Sequence, residues 1–138
     1  MNLLHKGGLM QELENNALFW QKVDTLILSS TVCLSYPKGS AHPQYPAMIY
    51  PVDYGYLKDT MSTESDPVHL YVGTDSDKRV NAIVISADIL KKDCVAKLLI
   101  GCTEEEMSKI MRFMNQTEFQ KTILIQRGTS VPSWASED

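Results

Sequence analysis

Four of the chain's six prolines, Pro37, Pro43, Pro46 and Pro51, crowd between residues 37 and 51, with Gly39 among them. Proline fixes φ and has no backbone donor, so neither a helix nor a central strand passes through such a stretch. Residues 37–53 therefore read as extended loop, and they split the chain into two unlike parts. Before the loop, Leu13, Ala17, Trp20, Val23 and Ile27 recur at helical spacing among polar residues, which predicts a helix over 11–28. Thr31–Tyr36 is then a strand ended by Pro37. After the loop, β-branched and aromatic residues predict short strands at Tyr54–Leu57, Val68–Val72, Val80–Ser86 and Val95–Ile100.

Thr103–Asn115 carries the strongest helix signal. Thr103 and Glu106 have capping-box spacing, and Glu104, Glu105 and Glu106 suit the positive N-terminal end of a helix. Met107, Ile110, Met111 and Met114 make one apolar stripe, which serves either core packing or a partner surface. A strand at Thr122–Gln126 precedes a polar tail in which Trp134 either docks on the body or a neighbouring subunit or stays disordered. Helix, short strands, helix, strand implies an α+β fold with a small, largely antiparallel sheet or barrel. At 138 residues the expectation is one domain, 1–138, with flexible tails at 1–10 and 128–138.

Charge and cysteine usage narrow the classes. The net charge of −4 disfavours a nonspecific nucleic-acid binder, which needs a basic surplus to neutralise phosphates. No apolar run approaches membrane-spanning length, and the N-terminus lacks an apolar core of signal-peptide length. Cys33, Cys94 and Cys102 are odd in number and widely spaced, so reduced, mostly buried thiols in a cytoplasmic protein are expected.

The acidic surplus has a location. Asp53, Asp59, Glu64, Asp66, Asp75 and Asp77 face a single base, Lys58, between residues 53 and 77. Such a block is either a solvated, turn-rich face or a hard-cation site, since Mg²⁺ takes carboxylate oxygens. Glu64 and Asp66 lie two apart, so an extended chain points both the same way. Beside them runs Tyr50-Pro51-Val52-Asp53-Tyr54-Gly55-Tyr56, either a core strand edged by tyrosines or a row of phenolic donors to an anion. Pro37-Lys38-Gly39-Ser40 is either an ordinary turn or a lysine with free N–H groups placed for a phosphate.

Taken together, Tyr50–Tyr56 and Glu64-Ser65-Asp66-Pro67-Val68-His69-Leu70 resemble soluble family I inorganic pyrophosphatases. That family shows a Tyr-Pro-x-Asn-Tyr-Gly-Tyr/Phe run followed by Asp-x-Asp-Pro-x-Asp. The resemblance extends from Pro37 to the Ala96-Lys97-Leu98 strand. It implies a five-stranded, OB-like barrel with flanking helices, Mg²⁺-dependent hydrolysis of pyrophosphate to two phosphates, and assembly from identical subunits. Carried over, Asp66 falls on the aspartate that holds and deprotonates the nucleophilic water, and Tyr54 on a site tyrosine. Tyr50, Lys97 and Lys38 fall on the substrate side. Glu64, Asp66, His69 and Asp93 occupy the metal positions.

This chain departs from the pattern at several of them. His69 replaces a metal aspartate, which shifts preference from Mg²⁺ toward Mn²⁺ or Co²⁺. Ser35 and Gln44-Tyr45-Pro46 stand where the family carries charges. A phosphate-binding arginine between Tyr45 and Tyr50, a second late metal aspartate and a tyrosine-lysine pair near Phe113–Gln120 have no counterpart. Four functions follow: a pyrophosphatase with a reduced metal site; a hydrolase of another phosphate substrate; a noncatalytic phosphate-ligand-binding or assembly module; and, last, an OB-type nucleic-acid binder, against which the acids speak.

Overall fold

A computed structural model describes residues 3–63 and 65–128, with only the backbone described at 3–9 and at 13. The elements are α1 (Leu3–Leu28), β1 (Val32–Tyr36), β2 (Asp53–Leu57), β3 (His69–Val72), β4 (Val80–Asp88), β5 (Asp93–Ile100), α2 (Glu104–Met114) and β6 (Gln120–Gln126). The strand expectations fall within a few residues of these limits. Helix α1 starts at Leu3, well before the expected residue 11. Gly7 and Gly8, which lower helix propensity, lie inside it. Trp134 and the rest of the tail from 129 lie outside the described residues.

One sheet carries all six strands in the order β1-β2-β3-β5-β4-β6. Every adjacent pair is antiparallel except β3 and β5, which run parallel with Leu70, Tyr71 and Val72 opposite Leu98, Leu99 and Ile100. The expected five-stranded closed barrel is therefore replaced by an open, six-stranded mixed sheet. The reason is physical. Closure hides a sheet's faces and edges, and here a helix packs on each face.

Strand alternation sorts the core into two layers. Tyr54, Tyr71, Ala82, Val84 and Leu99 point to one face, where Met107, Ile110, Phe113 and Met114 of α2 cover them. The methionine stripe is thus core, with Met111 half-buried at its margin. Leu57, Leu70, Val80, Ile83, Leu98 and Ile100 point to the other face, against Trp20 and Val23 of α1. Ala17 of the expected α1 stripe is exposed instead, and the side chain of Leu13 lies outside what is described.

Polar clamps fix both helices. Arg127 Nη2 pairs with Asp24 Oδ2 at 2.9 Å, its Nη1 donates to the Val80 carbonyl at 3.1 Å, and its guanidinium lies 5.6 Å from the Trp20 ring. The capping box forms as its spacing predicts. Glu106 also accepts from the Thr74 backbone N–H at 3.1 Å and from its hydroxyl at 2.9 Å, tying the helix start to the β3–β4 loop. Cys102 is buried, Cys33 half-buried and Cys94 exposed, so the expectation of mostly buried thiols fails at Cys94.

Strands β1 and β2 approach closely at Gly55. A Cβ on Gly55 would run into the Cys33 carbonyl and the Leu34 Cα. That closeness brings Tyr36 of β1 over Tyr54 of β2, ring centroids 6.4 Å apart. Gly55→Ala is expected to push β1 outward and lower stability by roughly 1–3 kcal/mol, the range of an overpacked core site. Urea denaturation of the purified variant measures it, and an unchanged midpoint would show that β1 yields freely.

Candidate functional site

The proline-bearing loop between β1 and β2 folds back on itself. Gly39 N–H donates to the Tyr50 carbonyl, Tyr50 N–H to Ser40 and His42 N–H to Met48, at 2.8–2.9 Å. Ala41 bridges Ile49. The prolines prevent a continuous strand, and these bonds instead make a compact flap over the α2-covered face of the sheet. Tyr50 is its anchor. Its ring stacks on Tyr36 at 5.1 Å, on Tyr54 at 5.3 Å and on His42 at 5.9 Å, and meets Phe113 of α2 at 4.8 Å. The row continues from Tyr54 to His69, 5.6 Å away with the planes 9° apart.

A cavity of about 160 Å³ lies between flap, sheet and α2. His42, Tyr45 and Met48 line it from the flap, and Phe113 and Phe119 from α2 and the turn after it. Tyr50, Tyr54 and Tyr71 complete the aromatic wall, and Lys91 and Lys97 supply the cations. Lys97 Nζ stands 5.0 Å from the centre of the Tyr54 ring, a cation–π distance. Burial, reinforced by the charge of Lys91, lowers the Lys97 ammonium to about 8, while Asp93 and Asp66 pull it upward. Asp88 is the lining carboxylate, and it is occupied, accepting from the Leu90 and Lys91 backbone N–H groups at 2.9 Å.

His42 is set as a neutral ring. Its Nδ1 accepts from the Gln44 and Tyr45 backbone N–H groups at 3.0 and 3.2 Å, which leaves the proton on Nε2. Burial, then Lys91 and Lys97, lower its pKa and keep it so. The cavity is thus cationic and aromatic, with one engaged carboxylate.

The sequence-derived candidates divide accordingly. Tyr50, Tyr54 and Lys97 line the cavity. Asp66 and His69 do not line it; the His69 ring stacks on Tyr54, and His69 Nε2 lies 3.5 Å from Asp66 Oδ1. Asp93 begins β5 on the same face as Lys97 but does not line the cavity. Lys38 is exposed and apart from it, and its backbone N–H donates to Asp53 Oδ1 at 2.8 Å. Glu64 lies outside the described residues.

The acidic block disperses into turn chemistry. Asp75 accepts from the Asp77 N–H at 3.0 Å, and Asp77 pairs with Arg79 at 3.1 Å. Among the described residues no three His, Cys, Asp or Glu side chains stand where they could share a metal ion. Mg²⁺ asks for a near-octahedral set of oxygens. One carboxylate and one imidazole, Asp66 and His69, do not make that set, so the described donors do not fit the cation the resemblance implies.

No family model and no curated protein matches the sequence. Among solved structures, an inorganic pyrophosphatase from Helicobacter pylori matches with a TM-score of 0.51 at 16% identity, over 70% of this chain and 82% of that one. A second, described as an inorganic phosphatase from Anaplasma phagocytophilum, gives a TM-score of 0.44 at 14% identity, over 70% and 81%. The fold is pyrophosphatase-like. The likeness is one of fold, and the cavity's chemistry stands on the residues of this chain.

Sequence reasoning missed His42, Tyr45, Lys91, Phe113 and Phe119. Lys91 had a usable signal, two lysines in the turn joining two strands whose alternation aims Lys97 at the same face. The flap residues had none, because which face the loop covers depends on tertiary packing.

The cavity makes the phenols unusually weak acids. Burial first, then Tyr36, pushes Tyr50 up to about 12. Burial raises Tyr54 and fully buried Tyr71 further, with neighbouring phenols adding to it. Folding therefore retains protons that the unfolded chain gives up near pH 10, and the stability these groups contribute falls as pH rises beyond that. Absorbance titration at 295 nm should show Tyr50, Tyr54 and Tyr71 ionising only together with alkaline unfolding. If Tyr50→Phe removes amplitude from the step near pH 10, Tyr50 is not shielded as described.

Proposed function

We propose that the cavity between flap, sheet and α2 binds a small phosphate-type anion, inorganic pyrophosphate or a related phosphate. The observation that carries this reading is the juxtaposition of Lys91 and Lys97 in an aromatic, half-enclosed space whose lining carboxylate is already engaged. Lys97 is desolvated and lies within the field of the exposed Lys91, which raises the free energy of the empty pocket, and an anion relieves that. Fold and sequence resemblance point to pyrophosphate, and the direct cations make a metal bridge unnecessary for binding.

The second reading is that the chain also hydrolyses pyrophosphate slowly with a divalent cation. One observation favours it: Asp66, the expected base for the attacking water, is close enough for its charge to act on Lys97. Assembly from identical subunits belongs to the same reading. Phosphate release from pyrophosphate with Mg²⁺, Mn²⁺ or Co²⁺ decides between binding and turnover. Activity that Asp66→Asn abolishes supports hydrolysis, and no release with any of the metals leaves binding alone.

Lys97 gives the binding reading its own test. Its cation is present at pH 7 and lost as pH rises through about 8. Affinity for sulfate, whose charge is constant over this range, should therefore fall between pH 7 and pH 9. The groups acting on Lys97 in that window are Lys91, Asp93 and Asp66. Lys97→Met should weaken pyrophosphate binding by roughly tenfold or more, the worth of a charge-assisted hydrogen bond. The same variant should melt higher, because it replaces a desolvated charge with an apolar chain of similar length. Calorimetric titration and thermal unfolding measure the pair, and unchanged affinity in Lys97→Met would remove this lysine from the site.

A further inference from the structure

Bare phosphate does not account for the rest of the cavity. Its lining is dominated by rings and methionines rather than by cations. Phe119 and Tyr45, centroids 6.5 Å apart, form an outer wall, and Tyr45 also leans on His42 at 5.2 Å. Phe119 is half-buried and Tyr45 is 40% exposed, so neither is committed to the core.

Charge sets the other half of the ligand. The lining offers two ammonium groups, Lys91 and Lys97, and no arginine. With Asp88 the lining nets one positive charge, and a phosphate monoester, at about −1.5 to −2 at pH 7, comes nearer to that than an anion of higher charge. Pyrophosphate joins two phosphoryl groups and brings more charge than two lysines offset. The neutral His42 ring contributes a donor and a flat face but no cation.

We infer that the cavity selects an aromatic phosphate monoester over inorganic anions, its ring lying against Tyr45 and Phe119 and its phosphate against Lys91 and Lys97. The inference rests on the anion-binding reading and names the class of ligand that reading leaves open. The ring supplies apolar contact and aromatic stacking that an inorganic anion cannot make. Lys97 disfavours the uncharged ring, because a ligand without the anion adds to the burial of its ammonium and offers it no partner.

Calorimetric titration of the full chain with phenyl phosphate, inorganic phosphate, pyrophosphate and phenol tests it. Phenyl phosphate is expected to bind about tenfold or more tightly than inorganic phosphate, the factor that stacking and apolar burial of one ring supply. Phe119→Ala should narrow that ratio severalfold. If Phe119→Ala fails to fold by circular dichroism, the more exposed Tyr45→Ala takes its place. Equal affinity for phenyl phosphate and inorganic phosphate, or tighter binding of pyrophosphate than of phenyl phosphate, overturns the inference and leaves the anion reading standing. Phenol binding as tightly as phenyl phosphate overturns both, as does failure of every anion to bind.

Discussion

Tyr50 holds the candidate site together. Four rings touch it: Tyr36 from β1, Tyr54 from β2, His42 from the flap and Phe113 from α2. Met48 on the core, Tyr45 against Phe119 and the Lys38 N–H bond to Asp53 of β2 add to the flap's attachment. The prolines deny the flap a place in the sheet, and its backbone hydrogen bonds hold it mainly to itself. Stacking on Tyr50 thus helps to fix a loop with a single internal bridge, Ala41 to Ile49, as a wall of the cavity. The Gly55 contact lies upstream of this, since β1 must approach β2 closely for Tyr36 and Tyr54 to flank the Tyr50 ring.

The same rings set the electrostatics. They exclude water from one side of Lys97, so burial is the leading cause of its lowered pKa. They also keep His42 neutral, although it sits near two lysines, because burial and those lysines act in the same direction. A cation whose charge is costly in the empty state and compensated in the bound state favours an anion by difference. The chain as a whole is acidic, yet the cavity is cationic. Net charge describes the surface average, and a site is governed by the few charges within a Debye length and behind a low-dielectric wall.

The fold was legible from residue patterns wherever burial obeys a period. The methionine stripe and capping box of α2 and the alternation of β4 and β5 translate directly into elements. Trp20 and Val23 marked a packed part of α1, whereas Ala17 kept the spacing without the burial. Barrel against open sheet was not legible, because closure depends on where β6 pairs. It runs along β4 from Ala82 to Asp88, which places it at the edge opposite β1. In the site, Tyr50, Tyr54 and Lys97 could be named because they sit on or beside strands in a recognisable run. His42 and Phe119 could not, as their place depends on how a proline loop and a post-helix turn fold over the sheet.

The acidic block shows why composition alone misplaces a site. Aspartate is favoured in turns because its carboxylate accepts backbone N–H groups two or three residues ahead, and Asp75, Asp77 and Asp88 all do this. A carboxylate so engaged is held in place by its own turn. Asp66 differs: its partner is His69, whose ring stacks on Tyr54 and so joins the aromatic row of the cavity. An aspartate at residue 69 would add a second negative charge beside Asp66 and call for a cation between them. Histidine instead offers Asp66 a partner of its own. On the proposed reading, recognition of an anion falls to Lys91 and Lys97 of the cavity lining.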